Sequence, residues 1–165
     1  MADIIVDGRT RVAFVPTIAA YATGATLSEL NAGTLLHDTL TPTGLEGFEA
    51  SQAEVDNTSL GSTFDTRLPG RKSYSGTGLM LKKQSGTDAI FTLLAEGTNG
   101  YVVIRDDVPA DQAWAEDDPI EIHPVRCGEP QRMGRGEANT VARYRVPTPV
   151  SLPPNKDAVA LADVP

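Results

Sequence analysis

A single cysteine, Cys127, excludes an internal disulfide in this chain and fits a reducing compartment. Histidine occurs only at His37 and His123, which leaves little for metal binding or for acid–base work near neutral pH. Four Phe, four Tyr and one Trp are spread over 165 residues, too few to line an aromatic ligand-binding face. No apolar run reaches the roughly 18 residues that a membrane-spanning helix needs, so no membrane insertion is expected. The opening "MADIIVDGRTR" carries an acid at Asp3 and no apolar core, and it does not read as a signal peptide. Positive charge is also short. Fourteen Lys and Arg against twenty-two Asp and Glu give a net charge of −8. A chain of that sign repels phosphate, so attractive binding of nucleic acid is not expected, although passage of nucleic acid needs no attraction.

Patterns that carry chemistry are missing as well. His123 and Cys127 stand four apart in an expected strand, which places them on one face but about 13 Å apart. Zinc takes its ligands at about 2.0–2.3 Å, so this pair cannot hold one ion. His37 is alone in a loop, and both histidines are expected to be ordinary surface or half-buried side chains. The acidic run "RDDVPADQAWAEDDP" lacks the ligand order and closing Glu of a calcium loop. It reads as a solvated loop with Trp114 tucked against the body. "PGRKS" has Arg71 where a phosphate loop needs glycine before its lysine, and no helix follows. "SYSGTG" is not the Gly-x-Ser-x-Gly elbow of a serine nucleophile. Lys82, Lys83, Arg132 and Arg135 are scattered among acids and form no basic stripe in the sequence. The expectation is no catalytic residue, no metal and no cofactor.

What the chain does have is turn-forming residues: fifteen Gly and twelve Pro. They favour many short strands, hence one mainly β domain. "RVAFVP" reads as a short strand closed by proline. "ATLSELNAG" reads as a helical turn capped by Thr26, with Glu29 as reciprocal partner and Gly33 as stop. Gly47 to Val55 suits a strand with one wet face and with Phe48 toward the core. A loop then runs from Asp56 to a Leu68-Pro69-Gly70 turn, and residues 71–83 read as one long, glycine-interrupted strand. The clearest helix spans about 88–96, capped by Thr87, with Ile90, Phe91 and Leu94 on one stripe and Gly97 as stop. An Asn99-Gly100 turn leads into a buried strand at 101–105, and further strands are expected at 119–127 and 139–147. The β-domain is thus expected over 1–147. The remainder, 148–165, has four further prolines and reads as an extended arm outside any sheet.

An acidic, mainly β chain with extended ends and no site makes a poor catalyst but a reasonable assembly subunit. The segment Leu27 to Gln84, with "STFDTRLPG" as its most distinctive piece, followed by "AIFTLLAEGTNGYVVIRDD", resembles the major tail protein (tail tube protein) of long-tailed, non-contractile phages that infect actinobacteria. The resemblance covers about 27–107 and less clearly the rest.

It implies a β-sandwich or rolled β-barrel with one flanking α-helix, a long inter-strand loop and extended termini. It further implies hexameric rings that stack into a hollow tube around a tape-measure protein. The tube would meet tail tip and tail terminator proteins, and would conduct double-stranded DNA without binding it specifically. The location implied is the virion tail, assembled in the host cytoplasm. On this reading residues 56–70 form the inter-ring loop, with Leu60, Phe64, Leu68, Pro69, Gly70 and Arg71 as contacts. The spaced apolar residues in that loop favour docking over disorder. Glu49 and Ser51 are the candidates for the tube lumen. A ring-forming terminator, head–tail joining protein or injection-system tube protein of the same fold is the alternative, and a monomeric ligand-binding β-module is a second.

Overall fold

Arg11–Val15 is buried at every position, and that one fact organises the molecule. In a computed structural model, which describes residue 3 and residues 5–163, this run is β1. It is followed by β2 (Gly24–Thr26), α1 (Leu27–Ala32), β3 (Thr34–Leu35), β4 (Leu40–Glu46), β5 (Ser51–Asp56), β6 (Arg67–Ser73) and β7 (Gly78–Lys82). Then come α2 (Ala89–Leu93), β8 (Asn99–Arg105), β9 (Pro119–Arg126), β10 (Gln131–Met133), β11 (Arg143–Pro147) and β12 (Asn155–Leu161). One sheet has the order β2-β12-β9-β8-β1-β3, a second β10-β11-β7-β4, and β5 with β6 forms a separate ribbon. The fold is mainly β, a curled half-barrel sheet with few helices, as expected.

Strand alternation explains why residues 12–15 of β1 are all apolar. Val12 and Phe14 point into a core shared with Leu79, Leu81, Tyr144 and Val146 of the four-stranded sheet. Ala13 and Val15 point the other way, into a second core with Leu30, Trp114, Ile122 and Ala158. A strand covered on both faces reads as a continuous apolar run, whereas one-sided strands alternate. Gly100 of β8 gives Phe14 its space: a Cβ there would stand 2.3 Å from Phe14 Cζ. Asn99 and Gly100 are therefore paired strand residues, opposite Arg126 and Val125, and not the expected turn.

The first helix forms as its sequence dictates. The Thr26 hydroxyl accepts from the Glu29 N–H and the Glu29 carboxylate accepts from the Thr26 N–H. Gly33 ends the helix, but at φ −71 it is not left-handed; it is glycine because a Cβ would lie 2.8 Å from Val15 Cγ2. The second helix is only Ala89–Leu93, shorter than the expected 88–96. Its cap is Asp88 rather than Thr87, with Asp88 Oδ1 accepting from Phe91 N–H at 3.0 Å. Leu94 is fully buried, with Ile90 and Phe91 packed beside it.

Three further expectations are corrected. Residues 71–83 are not one strand: the chain leaves β6 at Ser73, turns through Gly76 at φ 68, and enters β7 in a different sheet. Arg145 fastens that turn, donating to Glu46 Oε2 at 2.6 Å and Gly76 O at 2.8 Å. The segment after Pro147 is not free of the sheet. Its residues 155–161 form β12, held between β2 (parallel) and β9 (antiparallel), with Ala158 and Ala160 in the second core; residues 164–165 lie outside the described residues. Finally, His123 is a core residue with no exposed surface, its Nε2 3.1 Å from Glu121 Oε2 and its ring edge-on to Phe48 at 5.1 Å.

Candidate assembly interface

The β5–β6 ribbon is the part of the chain that leaves the core. Every residue of β5 is exposed, and so is every residue of β6 except Gly70. The two strands pair only with each other. An isolated two-stranded ribbon is at best marginally stable in water, so its shape must come from local bonds or from a partner. Register divides its faces. Glu54 opposite Pro69 and Asp56 opposite Arg67 define a charged face, tied by an exposed Arg67–Glu54 pair at 3.0 Å. Val55 opposite Leu68 defines an apolar face, each residue 52% exposed. The ribbon is amphipathic, yet nothing in the described chain covers its apolar side.

Between the strands, residues 57–66 form a loop held by its own hydrogen bonds. Asn57 N–H donates to Thr66 O at 3.0 Å, and Thr66 N–H donates to the Thr58 hydroxyl at 3.0 Å. Ser62 donates to Phe64 O at 2.7 Å and accepts from Phe64 N–H at 3.1 Å. Thr58, through its hydroxyl and its N–H, holds the Asp56 carboxyl below the usual carboxylate range. This bonding places Leu60 and Phe64 outward, the latter 75% exposed. Exposed large apolar side chains in a self-ordered loop mark an interaction surface better than scattered ones do.

The structure brings Leu60, Phe64 and Leu68 onto one projecting element, as the sequence suggests, but the boundaries shift. The loop is 57–66, and Leu68, Pro69, Gly70 and Arg71 are strand residues of β6 rather than a turn. Proline is tolerated because a two-stranded ribbon leaves one edge of each strand without a ladder partner. Gly70 lies beside a register shift, where a Cβ would stand 2.9 Å from Ala53 O. Val55 belongs to the apolar face through its cross-strand pairing with Leu68, which a turn at Leu68 would not provide. Glu49 and Ser51 are both exposed at the base of the ribbon, but only Ser51 is in a strand. The expected strand 47–55 breaks because Gly47 takes φ 72, which turns Phe48 into the core.

A second feature is the loop between β8 and β9, residues 106–118, which carries the acidic run. The core grips it through two buried arginines. Arg105 donates to Asp118 Oδ2 at 2.7 Å and to the carbonyls of Pro109, Gln112 and Ala113. Arg11 donates to the carbonyls of Ala110 and Gln112. Both guanidiniums lie over the Trp114 ring, at 5.0 and 5.2 Å from its centroid. Burial, and then the Arg105 charge, lower the Arg11 pKa from its ordinary value. Trp114 is tucked in as expected, at 6% exposure. The arginines were missed, because a terminal Arg on an apolar run reads as its solvent end.

The four-stranded sheet ends in two open edges, β4 and β10. Among the described residues no cluster of three or more metal-ligating side chains occurs, and no helix is long and apolar enough to cross a membrane. Burial raises the Cys127 thiol to about 11, so the sulfur stays protonated near neutrality.

Comparison with known proteins fits this geometry. A search among curated proteins finds no match. Among solved structures, the fold is similar to a chain in the cryo-EM structure of the anti-feeding prophage (AFP) baseplate, 6-fold symmetrised. The TM-score is 0.59 at 10% identity, covering 92% of this chain and 94% of that one. At that identity the likeness speaks for the fold. The family model described as phage tail tube protein matches residues 1–163, and the chain belongs to that phage tail tube protein family.

Proposed function

We propose that this protein is the major tail tube subunit of a long-tailed, non-contractile phage with an actinobacterial host. Copies form hexameric rings that stack into a hollow tube around a tape-measure protein, bounded by tail tip and tail terminator proteins. Double-stranded DNA passes through the tube during ejection without specific binding. The subunit is a virion tail component assembled in the host cytoplasm, with a structural rather than enzymatic role. The observation that carries this reading is the β5–β6 ribbon, an amphipathic arm whose apolar face and tip have no partner within the subunit. In a stack, that arm reaches the neighbouring ring with Val55, Leu60, Phe64 and Leu68 as its anchors. The open edges of β4 and β10 suit lateral pairing between copies, which would also remove an aggregation hazard. The six-fold symmetry of the AFP baseplate structure supports a ring of six.

Glu49 and Ser51 are placed at the lumen in this reading. A duplex carries about one charge per 1.7 Å of axis, so a conduit lined with positive charge would hold it back. Glu49→Arg with Ser51→Arg should give tubes that form normally but release DNA more slowly.

Negative-stain microscopy of the purified protein tests the proposal. The wild type should give long tubes, and Phe64→Asp with Leu68→Asp should abolish them while circular dichroism stays native. Burial of each such side chain is worth about 1.5–3 kcal/mol, and a ring repeats the loss at every contact. Normal tubes from the double variant would remove the ribbon from the interface. Strictly monomeric behaviour, even in virion preparations, would end the proposal. The likeness to a baseplate chain favours one second reading, a ring that does not propagate, such as a terminator, a head–tail joining protein or an injection-system component. Single rings in place of tubes would select it.

A further inference from the structure

The fold gathers charges that the sequence scatters. Lys82 at the end of β7 stands opposite Arg143 at the start of β11, and Arg143 stands opposite Met133 of β10. Lys83 Nζ and the Arg132 guanidinium both lie over the Phe91 ring, at 4.9 and 5.5 Å. Arg135 follows in the exposed turn after β10. Strand alternation puts Lys82 and Arg143 on one face and Arg132, with Lys83 beside it over Phe91, on the other, so five of the fourteen basic residues surround one corner of the four-stranded sheet. Two neighbouring acids are already engaged: Asp88 is buried as the cap of the helix that carries Phe91, and Glu137 is 3.8 Å from Arg143. Glu129 precedes β10 in the chain.

The opposite charge is concentrated in the loop 106–118. Asp106, Asp107, Asp111, Glu116 and Asp117 are all exposed there, while Asp118 is consumed by Arg105. A long connection without secondary structure is normally mobile. This one is fixed by two buried guanidiniums and the Trp114 ring, so its acids are presented in a set geometry. No ion pair among the described residues joins the acids of this loop to Lys82, Lys83, Arg132 or Arg135. Two surfaces of opposite charge thus stand on one subunit without an ion pair between them.

We propose that the basic corner of one copy docks onto the acidic loop of a second copy, forming an electrostatic contact distinct from the β5–β6 ribbon. The inference rests on the self-association proposed above and names a further pair of surfaces in it. A second copy fits better than a duplex as the occupant of the basic corner. The whole chain carries −8, and the same molecule supplies a preformed acidic counterpart. The contact sets register and association rate, since exposed pairs each change association only about two- to fivefold.

Reciprocal charge reversal tests it by sedimentation at low and high salt. Arg132→Glu with Arg135→Glu makes the corner acidic, and Asp111→Lys with Glu116→Lys makes the loop basic. Each double variant alone should associate at least tenfold more weakly than the wild type at low salt. The two variants mixed in equal amounts should recover wild-type association, because each mixed contact joins opposite charges. Circular dichroism of each variant checks the fold, and the quadruple variant gives a second route to the same recovery. Loss in the single-surface variants without recovery in either the mixture or the quadruple variant would overturn the pairing. Wild-type association by both double variants would do the same. If instead the corner reversal leaves sedimentation unchanged but abolishes a gel shift with duplex DNA, the corner is a phosphate-binding surface and the proposal is wrong. A wild type that never associates would refute the assembly reading itself, which separates the two failures.

Discussion

The two long connections of this protein are opposites. The acidic loop between β8 and β9 has a composition that favours solvent, yet the core holds it by Arg11, Arg105 and Trp114. The loop between β5 and β6 carries Leu60 and Phe64, which favour burial, yet it stands clear of the core on a ribbon that is exposed on both faces. The backbone of the charged loop is anchored within the subunit, whereas the apolar loop has only its own hydrogen bonds. A single chain would have no physical reason to arrange them this way. A subunit whose apolar arm is completed by another copy would.

Substitutions should separate the two regions sharply. The largest effect is expected at Arg105. Arg105→Ala removes the charged partner of Asp118 and the donor to the carbonyls of Pro109 and Ala113, and leaves Gln112 O with Arg11 alone, in a site where Arg105 itself has no exposure. Breaking a buried pair by removing one partner costs about 3–5 kcal/mol, so urea denaturation should show a loss of that order. Phe64→Asp with Leu68→Asp should change monomer stability by less than about 0.5 kcal/mol, since both side chains are exposed. A ribbon that packed on its own subunit would instead give a loss comparable with a core substitution. At Gly100, alanine would drive a methyl into the Phe14 ring and should cost about 1–3 kcal/mol by overpacking, read from the same denaturation curves.

A smaller effect is expected from pH. The hydrogen bond from His123 lowers the Glu121 pKa against the opposing effect of burial. A carboxyl whose folded pKa lies below its unfolded value stabilises the protein above the unfolded value, about 4.3, and that contribution is lost as pH falls through the folded one. Stability should therefore drop as the pH falls below about 4.3, and Glu121→Gln should flatten this acid limb in thermal melts. An unchanged limb would mean that the Glu121 carboxyl has the same affinity for protons in the folded and unfolded chain.

Much of this architecture is legible where local chemistry decides. The capping box at Thr26 and Glu29, the apolar run of β1, the strand 119–126 and the inward Phe48 all follow from short patterns. The sequence misleads where tertiary contacts overrule composition. Pro153 and Pro154 suggest an arm, but the Ala158 and Ala160 alternation just beyond them fits a covered sheet face. Pro69-Gly70 suggests a turn, but a two-stranded ribbon tolerates proline. His123 has no local sign of burial, since Phe48 and Tyr74, the rings that flank it, come from the distant base of the ribbon. The apolar tip of the arm was legible as spaced Leu60, Phe64 and Leu68; its apolar strand face was not, because Val55 meets Leu68 only through register.

Hydrogen exchange measured on the free subunit and on the assembled protein tests the central claim most directly. In the free subunit, amides of residues 51–73 should exchange fast, while β8, β9 and the Arg-held loop are already slow. On assembly, protection should appear in 51–73 and leave β8 and β9 unchanged. Strong protection of the ribbon in the free subunit, or a ribbon that stays unprotected in the assembled state, would contradict the account.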